Sequence, residues 1–195
     1  METNPHAFGR RIGELLDRIA RVAREAQFSD GLNPAQWEAL RYLARANRYS
    51  RSPGSLAEYL GCTKGTVSQT LIALEQKGYV IRERDPVDRR GMRLELSEAG
   101  RAAVERDPIL ALERAAEGLD DDVRGPLVKG LSRLLYDLQT ERGIRRFGVC
   151  HDCALHCCDG HEAHPAGANH CGATGEEIQS GEEQRICANF ATAAE

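Results

Sequence analysis

Apolar residues recur at Phe8, Ile12, Leu15, Leu16, Ile19 and Val22 with arginines on the opposite face, the spacing of an amphipathic helix. Asn33-Pro34 then supplies an N-cap followed by proline at the first helical position, which predicts a second helix through Trp37, Leu40 and Leu43. Ser52-Pro53 repeats the device before LAEYL, and Gly61 closes that short helix. Thr63 caps a fourth helix, TKGTVSQTLIALEQKG, with Val67, Leu71 and Leu74 on one face and Gly78 at its end. The period then changes: YVIRER and MRLELS carry β-formers, and the turn-rich DPVDRRG between them predicts a hairpin. Ser97 caps another helix, which Asp107-Pro108 restarts or kinks, and Leu127, Leu131, Leu134, Leu135 and Leu138 mark a last amphipathic helix.

A short helix, a tight turn, a longer helix and a β-hairpin make a winged helix-turn-helix. The expected fold is therefore mainly α with a small β-hairpin wing, flanked by dimerisation helices. A winged-helix core needs only about 65–80 residues. The leucine stripes of the first and last helices have no obvious partner inside such a core, so they should pair across a symmetric homodimer interface. Two recognition helices would then lie about 34–36 Å apart, the repeat of successive major grooves.

Composition sharpens this picture. The 195 residues include 26 basic and 30 acidic side chains, 41% hydrophobic and 29% charged, a globular rather than a disordered balance. No apolar run spans a bilayer and the N-terminus lacks a signal-peptide pattern, so no membrane partner and a cytoplasmic address are expected. Residues 1–146 hold 25 basic and 22 acidic residues, whereas residues 147–195 hold one basic and eight acidic residues. Six of the seven cysteines and five of the six histidines also lie after residue 146. Two units are predicted: a DNA-binding and dimerisation domain over 1–146 and a cysteine-rich, metal-binding extension over 147–195. Between Arg41 and Arg93, eleven basic residues face five acidic ones, the concentrated positive charge that phosphate neutralisation requires.

In SLAEYLGCTKGTVSQTLIALEQKGYVIRERD and DPVDRRGMRLELSEAGR the chain resembles the MarR-type transcriptional regulators, over roughly Phe8–Glu141. The resemblance implies a two-fold dimer on a pseudo-palindromic DNA site, usually acting as a repressor, and no enzymatic activity. It assigns Arg89 to the wing tip, in or near the minor groove, and Asp88 to the acidic residue that orients a neighbouring arginine. Lys64, Thr66, Ser68, Gln69 and Thr70 fall in the first two turns of the recognition helix, where side chains reach base edges or phosphates. Gln69 can pair bidentately with adenine. Lys64, Arg51, Arg82 and Arg90 are expected to contact phosphate and set register. Cys62 in the helix-helix turn and Trp37 are expected to pack rather than react or bind.

The tail has its own pattern. Cys150-x2-Cys153 is followed by Cys171 and Cys187, each after a long gap. Disulfides are disfavoured in the cytosol, so this set points to metal ligation or thiol chemistry. Four thiolates suit an iron–sulfur cluster or, alternatively, a structural Zn²⁺. The spacing resembles that of high-potential iron–sulfur proteins, and a zinc ribbon would carry a second CxxC knuckle. Cys157, Cys158 and the tail histidines are additional donors whose role stays open. Phe147, Ile186 and Phe190 flank the ligands and are expected to shield them.

The function expected from sequence is a DNA-binding regulator modulated by an iron–sulfur cluster or redox state in the tail. One alternative is a regulator with a structural zinc tail and a small-molecule effector in the crevice between the dimer and DNA-binding lobes. Another is a redox or electron-carrying metalloprotein that uses the helices as a dimer scaffold. No phosphate-binding glycine loop, nucleophile elbow or paired-carboxylate motif supports an enzyme.

Overall fold

The computed structural model describes residues 5–84, 91–157 and 169–192. Its first elements are α1 (Pro5–Ala26), α2 (Pro34–Arg45), α3 (Pro53–Leu60), α4 (Lys64–Gln76) and the strands β1 (Val80–Arg84) and β2 (Met92–Leu96). After the hairpin come α5 (Glu98–Val104), α6 (Leu110–Glu117) and α7 (Asp121–Glu141). The tail adds β3 (Gly148–Val149), β4 (His156–Cys157), β5 (His170–Cys171) and β6 (Ile186–Cys187).

The boundaries follow from local chemistry. The Asn33 side chain accepts the Gln36 amide at 3.0 Å, and the Gln36 side chain accepts the Asn33 amide at 3.2 Å, so two otherwise unpaired donors are satisfied at the start of α2. Ser52, Thr63 and Ser97 cap α3, α4 and α5 through the amides of Ser55, Thr66 and Gly100. Gly61 ends α3 at φ +62°, a left-handed turn that glycine adopts without steric cost. The hairpin is antiparallel, with Val80 opposite Leu96 and Arg84 opposite Met92.

Trp37, Leu40 and Leu43 of α2 pack with Leu56 of α3, Val67, Leu71 and Leu74 of α4, and Leu94 of the wing, all buried. Each such side chain contributes about 1.5–3 kcal/mol through removal from water. Cys62 packs against this core, as its place in the turn suggests. The apolar faces of α1 and α7 are exposed in the single chain, Val22 at 70% and Val128 at 65%. No described helix is long and apolar enough to cross a membrane.

Of the two alternatives at Asp107-Pro108, the structure shows the restart: one helix ends before it and another begins after it. The Asp107 carboxylate, almost wholly buried, accepts from Arg41 Nε at 2.6 Å and Nη2 at 3.2 Å, and also from the Ile109 amide at 2.9 Å. That network turns the chain out of α5 and into α6. The tail, expected as an irregular extension, is mostly turns with two short strand pairs, and it packs on the helices. Antiparallel pairs β3–β6 and β4–β5 organise it, and Ile186 is buried in the core of the winged helix.

Candidate nucleic-acid interface and cysteine cluster

Helix α4 is built as the sequence suggests. Val67, Leu71 and Leu74 turn inward, while Lys64, Thr66 and Gln69 are exposed and Ser68 and Thr70 are half-buried. Thr66 also has a structural role, because its hydroxyl lies 2.9 Å from that of Thr63, in the capping turn. Thr70 donates its hydroxyl to the Thr66 carbonyl at 3.1 Å, so that hydroxyl is engaged within the helix. Asp88, Arg89 and Arg90, assigned to the wing turn, lie outside the described residues, as does Cys158.

Arg51, expected at phosphate, is engaged inside the fold of the DNA-free chain. Its guanidinium is paired with Glu95 of β2, its Nε donates to the Ala46 carbonyl at 3.2 Å, and its side chain is only 18% exposed. Burial lowers its pKa and the Glu95 carboxylate opposes that shift. Arg51 thus ties the helix-turn-helix to the wing, and a phosphate would have to compete with Glu95 for it. Arg82 is paired with Glu75 at 2.8 Å and would have to leave that carboxylate to reach DNA. Arg41, Arg48 and Arg93 are also in ion pairs, so the positive charge available to a polyanion is smaller than the bare sum over 41–93.

Arg48 shows where part of that charge goes. It donates to the Glu177 carbonyl at 2.7 Å and pairs with Glu176 at 3.0 Å and Glu182 at 3.6 Å, all in the tail. Tyr49 donates to Glu176 at 2.6 Å. Beneath these contacts, Ser50 Oγ donates to Asn47 Oδ1 at 2.6 Å and accepts the Ala188 amide at 2.7 Å, fully buried. The Asn47 amide donates to the Ile186 carbonyl at 2.9 Å. The acidic tail is therefore docked on residues 46–50, directly before α3. Sequence reasoning missed this seat, although the opposite charges of the two regions were its one visible signal.

At the other edge of the seat, Phe147 meets Tyr42 and Tyr59 edge-on, at ring separations of 6.4 and 5.3 Å. The Tyr42 hydroxyl donates to the Ser50 carbonyl at 2.7 Å, and burial, with Tyr59 nearby, raises its pKa. A cleft of about 530 Å³ opens here, lined by Arg41, Arg45 and Arg145 together with Tyr42, Tyr59 and Phe147.

Three of the four expected metal ligands are buried together, with the fourth nearby. Cys150, Cys171 and Cys187 are buried in one cluster with Ile178, against which Phe190 packs. Cys153 is half-buried, and its sulfur accepts the Ala191 amide at 3.4 Å. The Cys150 thiol is pushed up to about 11, first by burial and then by Cys187, Cys171 and Cys153. All four thiols are free. Among the described residues, no group of three or more His, Cys, Asp or Glu side chains is arranged to hold a metal ion as it stands. Cys157 lies apart from the cluster's apolar core, with its sulfur 3.8 Å from the Leu155 carbonyl.

Residues 30–91 match the family model described as MarR family. An uncharacterized HTH-type transcriptional regulator, YkoM of Bacillus subtilis (strain 168), is 32% identical over 104 residues, which is 50% of this chain. The chain spans 64% of that relative's length. Among solved structures, FabT of Streptococcus pneumoniae in complex with DNA is similar at 21% identity and a TM-score of 0.55, covering 70% of this chain and 99% of its own. CouR of Rhodococcus jostii RHA1, bound to p-coumaroyl-CoA, is similar at 24% identity and a TM-score of 0.53, covering 63% of this chain and 90% of its own. At those identities the two structures establish the fold alone. Over residues 30–91 the chain is thus similar to the MarR family, and its fold is that of the winged helix-turn-helix proteins in these structures.

Proposed function

We propose that this chain is a transcriptional regulator that binds a pseudo-palindromic duplex DNA site as a homodimer, most simply as a repressor. The observation that carries the reading is α4: a capped helix with its apolar face locked into the core and Lys64, Thr66 and Gln69 exposed beside the β1–β2 hairpin. In this reading Gln69, Ser68 and Thr70 face base edges and Lys64 faces phosphate. Asp88, Arg89 and Arg90 serve the wing, with Arg89 entering the minor groove. The exposed apolar faces of α1 and α7 supply the dimer contact, since a monomer gains nothing from keeping them in water. The tail, seated before α3, biases DNA affinity according to its iron, redox or metal state.

A second reading of the signal rests on the cleft between α2, α3 and α7. Arg45 beside three aromatic rings, with Arg41 and Arg145 already paired to Asp107 and Glu58, suits an aromatic effector with one anionic group. It would bind where the dimerisation and DNA-binding parts meet.

The test is fluorescence anisotropy with duplex fragments taken upstream of the protein's own coding region, at several salt concentrations. Binding should weaken linearly with the logarithm of salt concentration as counterions are released. Gln69→Ala should relax discrimination between sites by about 1–3 kcal/mol, while Arg89→Ala should weaken binding to every site. Affinity that ignores both salt and Arg89→Ala would overturn the proposal.

A further inference from the structure

Three thiols from three separate stretches of the tail share one buried apolar cluster. Cys150 follows β3, Cys171 ends β5 and Cys187 ends β6. Phe190 covers Gly148 so closely that a Cβ there would collide with its ring, which holds the aromatic lid over the start of β3. Aliphatic side chains would fill such a cluster as well as thiols do and bring no reactive group with them. The tail also needs more than its own pairings to hold together, because β3–β6 and β4–β5 each pair only two residues per strand. Units with so little core are ordinarily stapled by a metal or by disulfides, and here every thiol among the described residues is free.

We propose that Cys150, Cys153, Cys171 and Cys187 ligate one thiophilic metal centre, an iron–sulfur cluster or a Zn²⁺ ion, that staples the tail onto the winged helix. The amide of Ala191 aimed at Cys153 Sγ is the kind of donor that stabilises a ligating thiolate. Each thiol gives up its proton to solvent as its sulfur binds the metal, so four thiols yield four thiolates and four protons. The four sulfurs are gathered but not in a metal-holding arrangement, so ligation draws them inward and couples metal binding to tail folding. Cys187 carries the effect outward. It directly follows Ile186, which is bound to Asn47, and precedes Ala188, which is bound to the Ser50 hydroxyl two residues before the α3 cap.

The full chain, purified anaerobically from cells supplied with iron and zinc, is examined by native mass spectrometry and metal analysis. One centre per chain is expected, lost in Cys150→Ser, Cys171→Ser and Cys187→Ser and retained in Cys62→Ser and Cys157→Ser. Several irons per chain with visible thiolate-to-iron absorption identify a cluster, and one colourless zinc identifies an ion; both support the four-thiolate site. Should the serine variants fail to fold, Co²⁺ titration of the unaltered protein replaces them, with sulfur-to-cobalt charge-transfer absorption as its expected signature. Metal-free protein with free or disulfide-paired cysteines, a centre that survives Cys187→Ser, or Co²⁺ binding without sulfur absorption would overturn the proposal. Metal content is read without DNA, so its failure leaves the regulator reading standing.

Discussion

At Gly100 the first turn of α5 presses on the Tyr79 carbonyl, which already accepts the Ser97 amide at 3.0 Å, and a Cβ would run into that oxygen. Alanine is the better helix former by roughly 1 kcal/mol, so on propensity alone Gly100→Ala should stabilise the chain. Packing reverses the sign: the substitution is expected to cost about 1–3 kcal/mol, seen as a lower urea midpoint. An unchanged or higher midpoint would mean that α5 is free to move away from the wing. The same scale separates Arg51 from Lys64. Both are basic residues in one positive stretch, and only the Glu95 carboxylate beside Arg51 makes one structural while the other stays exposed. Nothing within a few positions of Arg51 carries that information, because Glu95 belongs to the far strand of the wing.

Elements whose signals are local were legible. The caps of α2 to α5 and the left-handed Gly61 depend on residues three or four apart, so their chemistry is written side by side in the chain. The seat of the tail was not legible, because its bonds join distant segments; Ser50 and Ala188 are 138 positions apart. The cysteine set fell between these cases. Its spacing singled out four sulfurs, and the fold brings three of them into one buried cluster with the fourth beside it. Ser50→Ala removes the acceptor of the buried Ala188 amide and the donor to Asn47 together. It should cost about 1–3 kcal/mol and increase protease cleavage within residues 169–192 before the helical core is cut. Uniform cleavage along the chain would show that residues 46–50 are not what retains the tail.

At the scale of the whole molecule, the proposed homodimer rests on the exposed apolar faces of α1 and α7. Val128 is 65% exposed in the single chain, so Val128→Glu leaves the intrachain core intact. Placed in an apolar dimer seam, the same carboxylate would be buried without a partner. Sedimentation should show Val128→Glu shifted from dimer towards monomer, with unchanged helical circular dichroism. DNA affinity should fall alongside, since one lobe then holds a single half-site. A variant that sediments as the unaltered protein does would move the interface off α7.

Ile186 gives the order in which the chain is made a particular importance. Synthesis proceeds from the N-terminus, and domains generally fold as units while they emerge. Here the helices and the wing have all emerged before Ile186, the tail residue buried against their core, leaves the ribosome. A messenger cut before that codon would yield helices that lack the bonds of Asn47 to Ile186 and of Ser50 to Ala188. Seating of the tail is therefore the last long-range closure the chain can make.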